Sequence, residues 1–348
     1  MKSPSPEISV VLCTYNRSQK ALRCIKALQK QNLHPEKYEI VIVNDGSTDN
    51  TKSVLQKLNI KVINNSENLG LAQSRNIGVS ESRANIIAFT DDDCKPDKNW
   101  LNNLLKIYTD SQIIGAGGKI SPLRTNTWLL KYFEANNTLA HLTFSFDNRS
   151  SIFYTLWQYL KRSFSLRQLP NKETQLFMII GANMSMRKSA FEAVGGFDPN
   201  IKFGGEEEDF WNRLRVILPE AKLMYIPTAI VEHDYNSSFK VALRHNYKYG
   251  FGAARLFIKD TGKIPAIYPF PIAVILSTIF VIVSPYCIII PFLLTIILYP
   301  GWLKLTFRKK QFEYILFPPI QMALELANDF GFIKGYFKLN KMYKEPKT

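Results

Sequence analysis

Cysteine is scarce in this chain: Cys13, Cys24, Cys94 and Cys287 are the four in 348 residues. None forms a C-x-x-C pair, and with four histidines no Cys/His zinc pattern can be drawn. A disulfide-stapled secreted fold is therefore not expected, and reduced thiols facing a cytosol fit better. An apolar leader is missing as well. Met1–Glu7 is polar and proline-bearing, which argues against a secretory signal. GxxxxGK[ST], HExxH and GxSxG do not occur, so the chemistries those motifs carry are set aside. Gly250-Phe251-Gly252-Ala253 follows no strand pattern and is not read as a dinucleotide fingerprint. Acid is in short supply: 29 Asp plus Glu face 44 Lys plus Arg, a net charge of +15. That excess calls for an anionic partner, either nucleic acid, an anionic membrane surface or a phosphorylated substrate.

What the chain does have is apolar bulk. At 46% hydrophobic and 21% charged residues it can bury a core, and its length suits roughly two units at ~150 residues each. Residues 264–303 form a forty-residue run without one charge. One bilayer span needs about 20 apolar residues, so two short passes are predicted near 268–284 and 286–302, turning at Ser284-Pro285-Tyr286. Tyr268, Tyr299 and Trp302 sit near the outer ends, where interface aromatics belong. Both flanks are basic: Lys240, Arg244, Lys248, Arg255, Lys259 and Lys263 upstream, and Lys304, Arg308, Lys309 and Lys310 downstream. The positive-inside rule then gives a hairpin with both flanks in the cytoplasm, a multi-pass protein of the inner membrane. Ser238–Ile258 reads as an amphipathic helix on the membrane surface, and equally as a solvated basic helix. Phe312–Lys344 has the same mixed character. Membrane lipids thus account for much of the excess charge without nucleic acid.

Residues 1–235 alternate strand and helix patterns. Ile8–Thr14, Tyr38–Asn44, Ile60–Asn65 and Asn85–Thr90 are β-branched, apolar runs. Helical spacing falls between them, at Ser18–Gln31, Thr48–Leu58 and Leu71–Arg83. This order implies an α/β fold with a mostly parallel sheet, helices on both faces and a ligand site beyond the carboxyl ends of the strands. Asn136–Arg167 resists assignment. At those strand ends stand Asp91-Asp92-Asp93 and Asp45. In an extended chain Asp91 and Asp93 face one way, and two hard carboxylates suit Mg2+ or Mn2+ with substrate phosphates. A solvated acidic turn reads equally well from that motif alone. A third cluster, Glu206-Glu207-Glu208-Asp209, opens a helix, with Asp209 and Arg213 spaced i, i+4 to pair.

Taken together, these motifs resemble those of family 2 glycosyltransferases, which have the Rossmann-like GT-A fold. The resemblance rests on VVLCTYNR (10–17), VNDGSTD (43–49), NLGLAQSRNIG (68–78), FTDDDC (89–94), GANMSMRKSAFEAVGGFD (181–198) and GEEEDFWNRL (205–214). It covers roughly Ile8 to Asp234. It implies a GT-A catalytic domain over 1–235; composition and charge add a basic surface segment (236–263), a membrane hairpin (264–303) and a basic interfacial tail (304–348). It further implies that Thr14, Tyr15, Asp45, Arg75, Asp91 and Asn183 contact a nucleotide-sugar donor. Asp91 and Asp93 would be the DxD pair for a divalent metal, Mn or Mg, with His233 as a third ligand or an ordinary structural histidine. Glu206, Asp209 and Arg213 would belong to the acceptor motif, with Glu207 as catalytic base. The family usually has an aspartate at that place, so Glu206 and Glu208 stay open as alternatives.

The implied reaction is inverting transfer of a sugar to an acceptor hydroxyl, on a lipid-linked or cell-surface glycan precursor at the cytoplasmic membrane face. No QxxRW occurs, which speaks against a processive synthase. The alternative is a membrane-anchored nucleotide-sugar-binding or assembly subunit without turnover.

Overall fold

The computed structural model describes residues 5–141, 157, 159–161, 163–164, 166, 169–201, 204–259, 268–277, 284 and 289–344. The chain divides into two compact units. The first holds Met1–Arg124, Asn137–Phe144 and Leu169–Tyr235. The second holds Thr125–Asn136, Ser145–Gln168 and Asn236–Thr348. The 136–167 stretch that resists assignment lies largely outside the described residues.

Among the described residues the first unit carries nine strands in one sheet. They are β1 (Ile8–Thr14), β2 (Tyr38–Asn44), β3 (Lys61–Asn64), β4 (Ile86–Asp91), β5 (Cys94–Pro96), β6 (Ile113–Pro122), β7 (Thr174–Leu176), β8 (Met184–Arg187) and β9 (Lys222–His233). The order is β3-β2-β1-β4-β8-β6-β9-β5, with β7 also on β9. Strands β1 to β4 pair in parallel, as the alternating pattern predicts. The sheet is nevertheless mixed rather than mostly parallel. β8 runs antiparallel to both β4 and β6, and β5 and β7 run antiparallel to β9. These three strands are short, three or four residues each, and no crossover helix forces them into line.

Strand alternation splits the core. Ile8, Val10 and Leu12 of β1 pack on one face, Val11 on the other. The first face is covered by α1 (Ser18–Leu28), α2 (Thr51–Leu55) and α4 (Trp100–Leu105), through Ala21, Cys24, Ile25, Leu28, Leu55, Trp100, Leu101 and Leu104. The second is covered by α3 (Leu71–Ser80), α6 (Lys188–Ala193) and α7 (Glu206–Ile217), through Ala72, Val79, Phe191, Phe210, Trp211 and Leu214. Each large side chain so buried contributes about 1.5–3 kcal/mol of transfer free energy. The parallel register puts Thr14 opposite Asn44 and Cys13 opposite Asp91. The ends of β1, β2 and β4 therefore share one rim.

The second unit is helical. It contains α5 (Trp128–Ala135), α8 (Phe239–Lys259), α9 (Pro269–Ser277), α10 (Ile289–Ile297), α11 (Pro300–Lys309) and α12 (Phe317–Lys344). Two expectations are corrected here. No straight pass forms over 286–302: α10 stops at Ile297, and α11 restarts at Pro300 with a 67° bend between them. Proline lacks the N–H a continuing helix needs, and its ring clashes with the preceding turn. Among the described residues no single helix is long and apolar enough to cross a membrane, although the bent pair passes by length and composition together. Of the other predicted pass, α9 covers Pro269–Ser277, while 278–283 lie outside the described residues.

The aromatics expected at an interface are also placed differently. Tyr299 and Trp302 are buried inside the unit. The hydroxyls of Tyr159 and Tyr299 donate to Glu325 Oε2 at 2.6 and 2.7 Å, and Gln321 Nε2 donates to Glu325 Oε1 at 2.8 Å. Trp302 Nε1 donates to Gln321 Oε1 at 2.6 Å. A buried carboxylate is tolerable only when satisfied in this way.

Candidate active site

The acidic rim is built by a turn. β4 ends at Asp91 itself, Asp92 and Asp93 turn the chain, and Cys94 begins β5. Simple strand alternation therefore does not align Asp91 with Asp93. The pairing of β5 with β9, Cys94 opposite His233, does the work instead. It brings ligand atoms of Asp91, Asp93, Cys94 and His233 within 4.8 Å of one another. His233 Nε2 lies 3.3 Å from Asp93 Oδ1, and His233 Nδ1 is buried with no hydrogen-bond partner among the described residues. Cys94 is fully buried, and its soft sulfur suits Mn2+ or Mg2+ less well than hard oxygen donors do. Two carboxylates and an imidazole remain, a donor set that fits Mn2+ or Mg2+.

Asp92 plays a different part from its neighbours. It is buried, accepts from Thr14 Oγ1 at 2.8 Å, and pairs with Arg17 Nη1 at 3.1 Å. Burial raises its carboxyl to about 6 against the pull of Arg17. Arg17 also reaches Asp93 at 3.2 Å, and Lys20 Nζ reaches Asp93 at 3.5 Å. Lys20, Arg23 and Arg124 converge on Asp234 at 3.7, 2.8 and 2.6 Å. Burial opposes ionisation of Asp234, yet these hydrogen bonds and charges hold its carboxyl below the usual range. Sequence reasoning missed this basic arc. Its only linear trace is the spacing of Arg17, Lys20 and Arg23 along the start of α1.

The acidic helix start is placed by glycine. Gly204 and Gly205 have φ of 71° and 94°, a region L side chains rarely adopt, and the chain swings through them into α7. Glu206, Glu207 and Asp209 fall in the first turn. Asp209 Oδ2 accepts from Arg213 Nε at 2.8 Å, the expected i, i+4 pair, and Arg213 further donates to the carbonyls of Val194 and Gly196. Glu207 faces the rim. Its Oε1 accepts from Gly181 N at 2.8 Å and from Arg75 Nη1 at 3.2 Å. Its Oε2 has no partner among the described residues, and the side chain keeps 20% of its surface exposed. Burial raises the Glu207 carboxyl, with Arg75 pulling the other way. Glu206 lies 3.6 Å from Arg75, with Oε2 buried and unpartnered among the described residues.

The donor contacts expected from the resemblance fall into three groups. Tyr15 is exposed on the rim. Thr14 and Asp45 are buried and engaged: Thr14 on Asp92, Asp45 accepting from Asn65 Nδ2, Leu69 N and Gly70 N at 2.8, 2.9 and 3.0 Å. Asp45 thereby fixes the turn that starts α3. Asn183 is fully buried. Its Nδ2 donates to the carbonyls of Lys119 and Ala229, and its Oδ1 accepts from Trp100 Nε1 at 2.9 Å. Asn183, expected at the donor, in this geometry pins the sheet to α4. Arg75, on α3, is also buried, beneath the rim rather than on it.

The loop carrying Gly181 is held from three sides. Trp211 Nε1 donates to Ile179 O, Ile180 N donates to His141 Nδ1, and Thr90 Oγ1 donates to Ala182 O. His141 is buried, and its Nε2 donates to Gly118 O at 2.7 Å, so the neutral ring serves as donor and acceptor at once. Burial lowers its pKa to about 4. Above ~6.5 both folded and unfolded chains carry a neutral ring, and its contribution to stability is complete. Between ~6.5 and about 4 the unfolded chain takes a proton that the native state refuses. The His141 contribution to stability, read as the difference between the protein and His141→Gln, should then fall by about 1.4 kcal/mol per pH unit, roughly 3 kcal/mol in all. Urea midpoints at pH 7 and pH 5 test this. His141→Gln should flatten the slope, and an unchanged slope would remove His141 from the account.

An open α/β sheet with acidic donors beyond its strand ends, next to a carboxylate at a helix start, defines the class: a GT-A-type nucleotide-sugar fold. The chain belongs to glycosyl transferase family 2, whose sequence profile matches residues 9–195. Glycosyltransferase AglE of Haloferax volcanii is 26% identical over 211 residues, covering 59% of this chain and 60% of that protein. The dolichyl N-acetyl-alpha-D-glucosaminyl phosphate 3-beta-D-2,3-diacetamido-2,3-dideoxy-beta-D-glucuronosyltransferase of Methanococcus voltae is 22% identical, covering 97% of this chain and 99% of that one. The matched region spans only 49% of the pre-mycofactocin glycosyltransferase of Mycobacterium tuberculosis. Among solved structures, the mannosyltransferase PcManGT of Pyrobaculum calidifontis, in complex with GDP-Man and Mn2+, superposes with a TM-score of 0.55. Its identity is 16%, over 99% of this chain and 89% of that one, which shows a shared fold.

Proposed function

We propose that the protein is an inverting, divalent-metal-dependent glycosyltransferase that moves a sugar from a nucleotide-sugar donor to an acceptor hydroxyl. One observation carries this reading: Asp91, Asp93 and His233 converge on the same rim as Glu207, whose Oε2 has no partner among the described residues. The relative from Methanococcus voltae and the manganese-bound mannosyltransferase support it by analogy. Asp91, Asp93 and His233 would hold Mn2+ or Mg2+, which when bound supplies positive charge to the leaving diphosphate. Arg17 and Lys20, on the same rim, add further positive charge to that anion. Glu207 Oε2 accepts the proton of the acceptor hydroxyl as that oxygen attacks the anomeric carbon. Oxocarbenium character develops at that carbon as the leaving group departs.

We place the acceptor on a lipid-linked or glycan precursor at the cytoplasmic face of the inner membrane. The support is the second unit's surface. Helix α8 carries Lys240, Arg244, Lys248, Arg255 and Lys259 and no acidic residue. Phe307, Phe312, Phe330 and Phe337 are exposed in the same unit. Basic and aromatic side chains together suit an anionic membrane surface. The decisive experiment is nucleoside diphosphate release from a panel of nucleotide sugars with Mn2+, run with and without vesicles rich in anionic lipid. Release from one donor, with the protein sedimenting on the vesicles, is the expected result. No release from any donor would point to a binding subunit, and protein left in the supernatant would remove the membrane.

A further inference from the structure

Arg75, expected at the nucleotide, lies beneath the rim. It is 3% exposed, under the rim, with its guanidinium 5.8 Å from the Phe89 ring centroid and 5.6 Å from that of Phe197. Burial works against its charge, but Glu207, Asp91 and Glu206 outweigh that and keep it protonated. Its two terminal nitrogens divide the site. Nη2 meets Asp91 Oδ1 at 3.3 Å, and Nη1 meets Glu207 Oε1 at 3.2 Å. The same Glu207 oxygen accepts from Gly181 N. A Cβ built on Gly181 would lie 2.2 Å from Glu207 Oε1 and 2.3 Å from Arg75 Nη2, so only glycine lets these three groups close together.

We propose that Arg75 is a positioning residue: it ties the metal-side carboxylate Asp91 to the base Glu207, and by occupying Oε1 it selects Oε2 as the atom that takes the proton. The proposal rests on the glycosyltransferase reading and on Glu207 as base. A guanidinium suits the task because its planar fork presents two donors at fixed spacing, whereas an ammonium is one mobile point charge. The aromatic faces of Phe89 and Phe197 hold the fork in orientation. A carboxylate held at one oxygen loses little freedom when the acceptor arrives, which is the geometric requirement on a general base. Asp91 and Glu207 lie on separate elements, β4 and α7, and Arg75 on α3 reaches both.

The test uses the full chain and two substitutions, Arg75→Ala and Arg75→Lys, the second keeping the charge in case the first does not fold. UDP and GDP binding in Mn2+, measured by calorimetry, serves as the probe of the donor site. Arg75→Lys should leave those affinities within about threefold and lower kcat about 10²-fold, the scale of a disabled general base. Added guanidinium should restore turnover of Arg75→Ala at least tenfold. The double variant with Glu207→Gln should be no slower than the slower single variant, because both substitutions disable one unit. Loss of nucleotide affinity by tenfold or more would overturn the proposal and return Arg75 to the donor. Losses that multiply in the double variant would also overturn it. Full turnover by Glu207→Gln alone would instead condemn the base assignment, so the two failures are told apart.

Discussion

Glu207→Gln should cut turnover by ~10² or more while leaving donor affinity nearly unchanged, the usual scale when a general base is removed. The amide keeps the shape of the side chain. Its oxygen can still accept from Gly181 N and Arg75 Nη1, as Glu207 Oε1 does. What disappears is the proton acceptor at Oε2, where an NH2 group now points toward the acceptor. Glu206→Gln gives the contrasting result. Glu206 touches Arg75 only at 3.6 Å and has its Oε2 buried, so little kinetic loss is expected from it. Glu208→Gln should also have little effect. Steady-state kinetics beside calorimetric nucleotide affinities separate these outcomes. A larger loss in Glu206→Gln, with affinity kept, would move the base one residue toward the N-terminus.

Asp93→Ala should abolish transfer, and a chelator should do the same to the unaltered protein. Asp93 lies 3.3 Å from His233 and belongs to the group of donors converging within 4.8 Å. Removing one of three hard ligands weakens a site that holds its cation through few protein groups. A diphosphate leaving without its countercharge loses the electrostatic term that usually dominates such a step. The substitution also releases Arg17 and Lys20, which pair with Asp93 at 3.2 and 3.5 Å. Arg17 keeps Asp92 and Lys20 keeps Asp234 as partners, but each has lost one carboxylate and can turn part of its charge to the incoming diphosphate, so nucleotide affinity should fall less than turnover. Activity that persists in chelator would remove the metal from the mechanism.

The sequence by itself determined the parallel half of the sheet and its acidic rim. Ile8–Thr14 and Tyr38–Asn44 are apolar, β-branched runs separated by helical spacing, and such a chain has one compact solution. The Asp209–Arg213 pair was legible from i, i+4 spacing alone, and motif register pointed to Glu207 as the base proposed above. Only the tertiary structure decided the rest. His233 reaches Asp93 because β5 pairs antiparallel with β9, a contact 140 residues apart in the chain that local pattern does not encode. Asn183 and Arg75 match a surface-contact motif in one dimension, yet burial turns the first into a structural pin and the second into a link between two carboxylates. The uncharged run 264–303 was read from composition alone, and among the described residues no single helix there is long and apolar enough to cross a membrane. Composition measures apolarity, but Pro300 breaks the helix, and Glu325 and Gln321 draw Tyr299 and Trp302 inward through hydrogen bonds that hydropathy does not register.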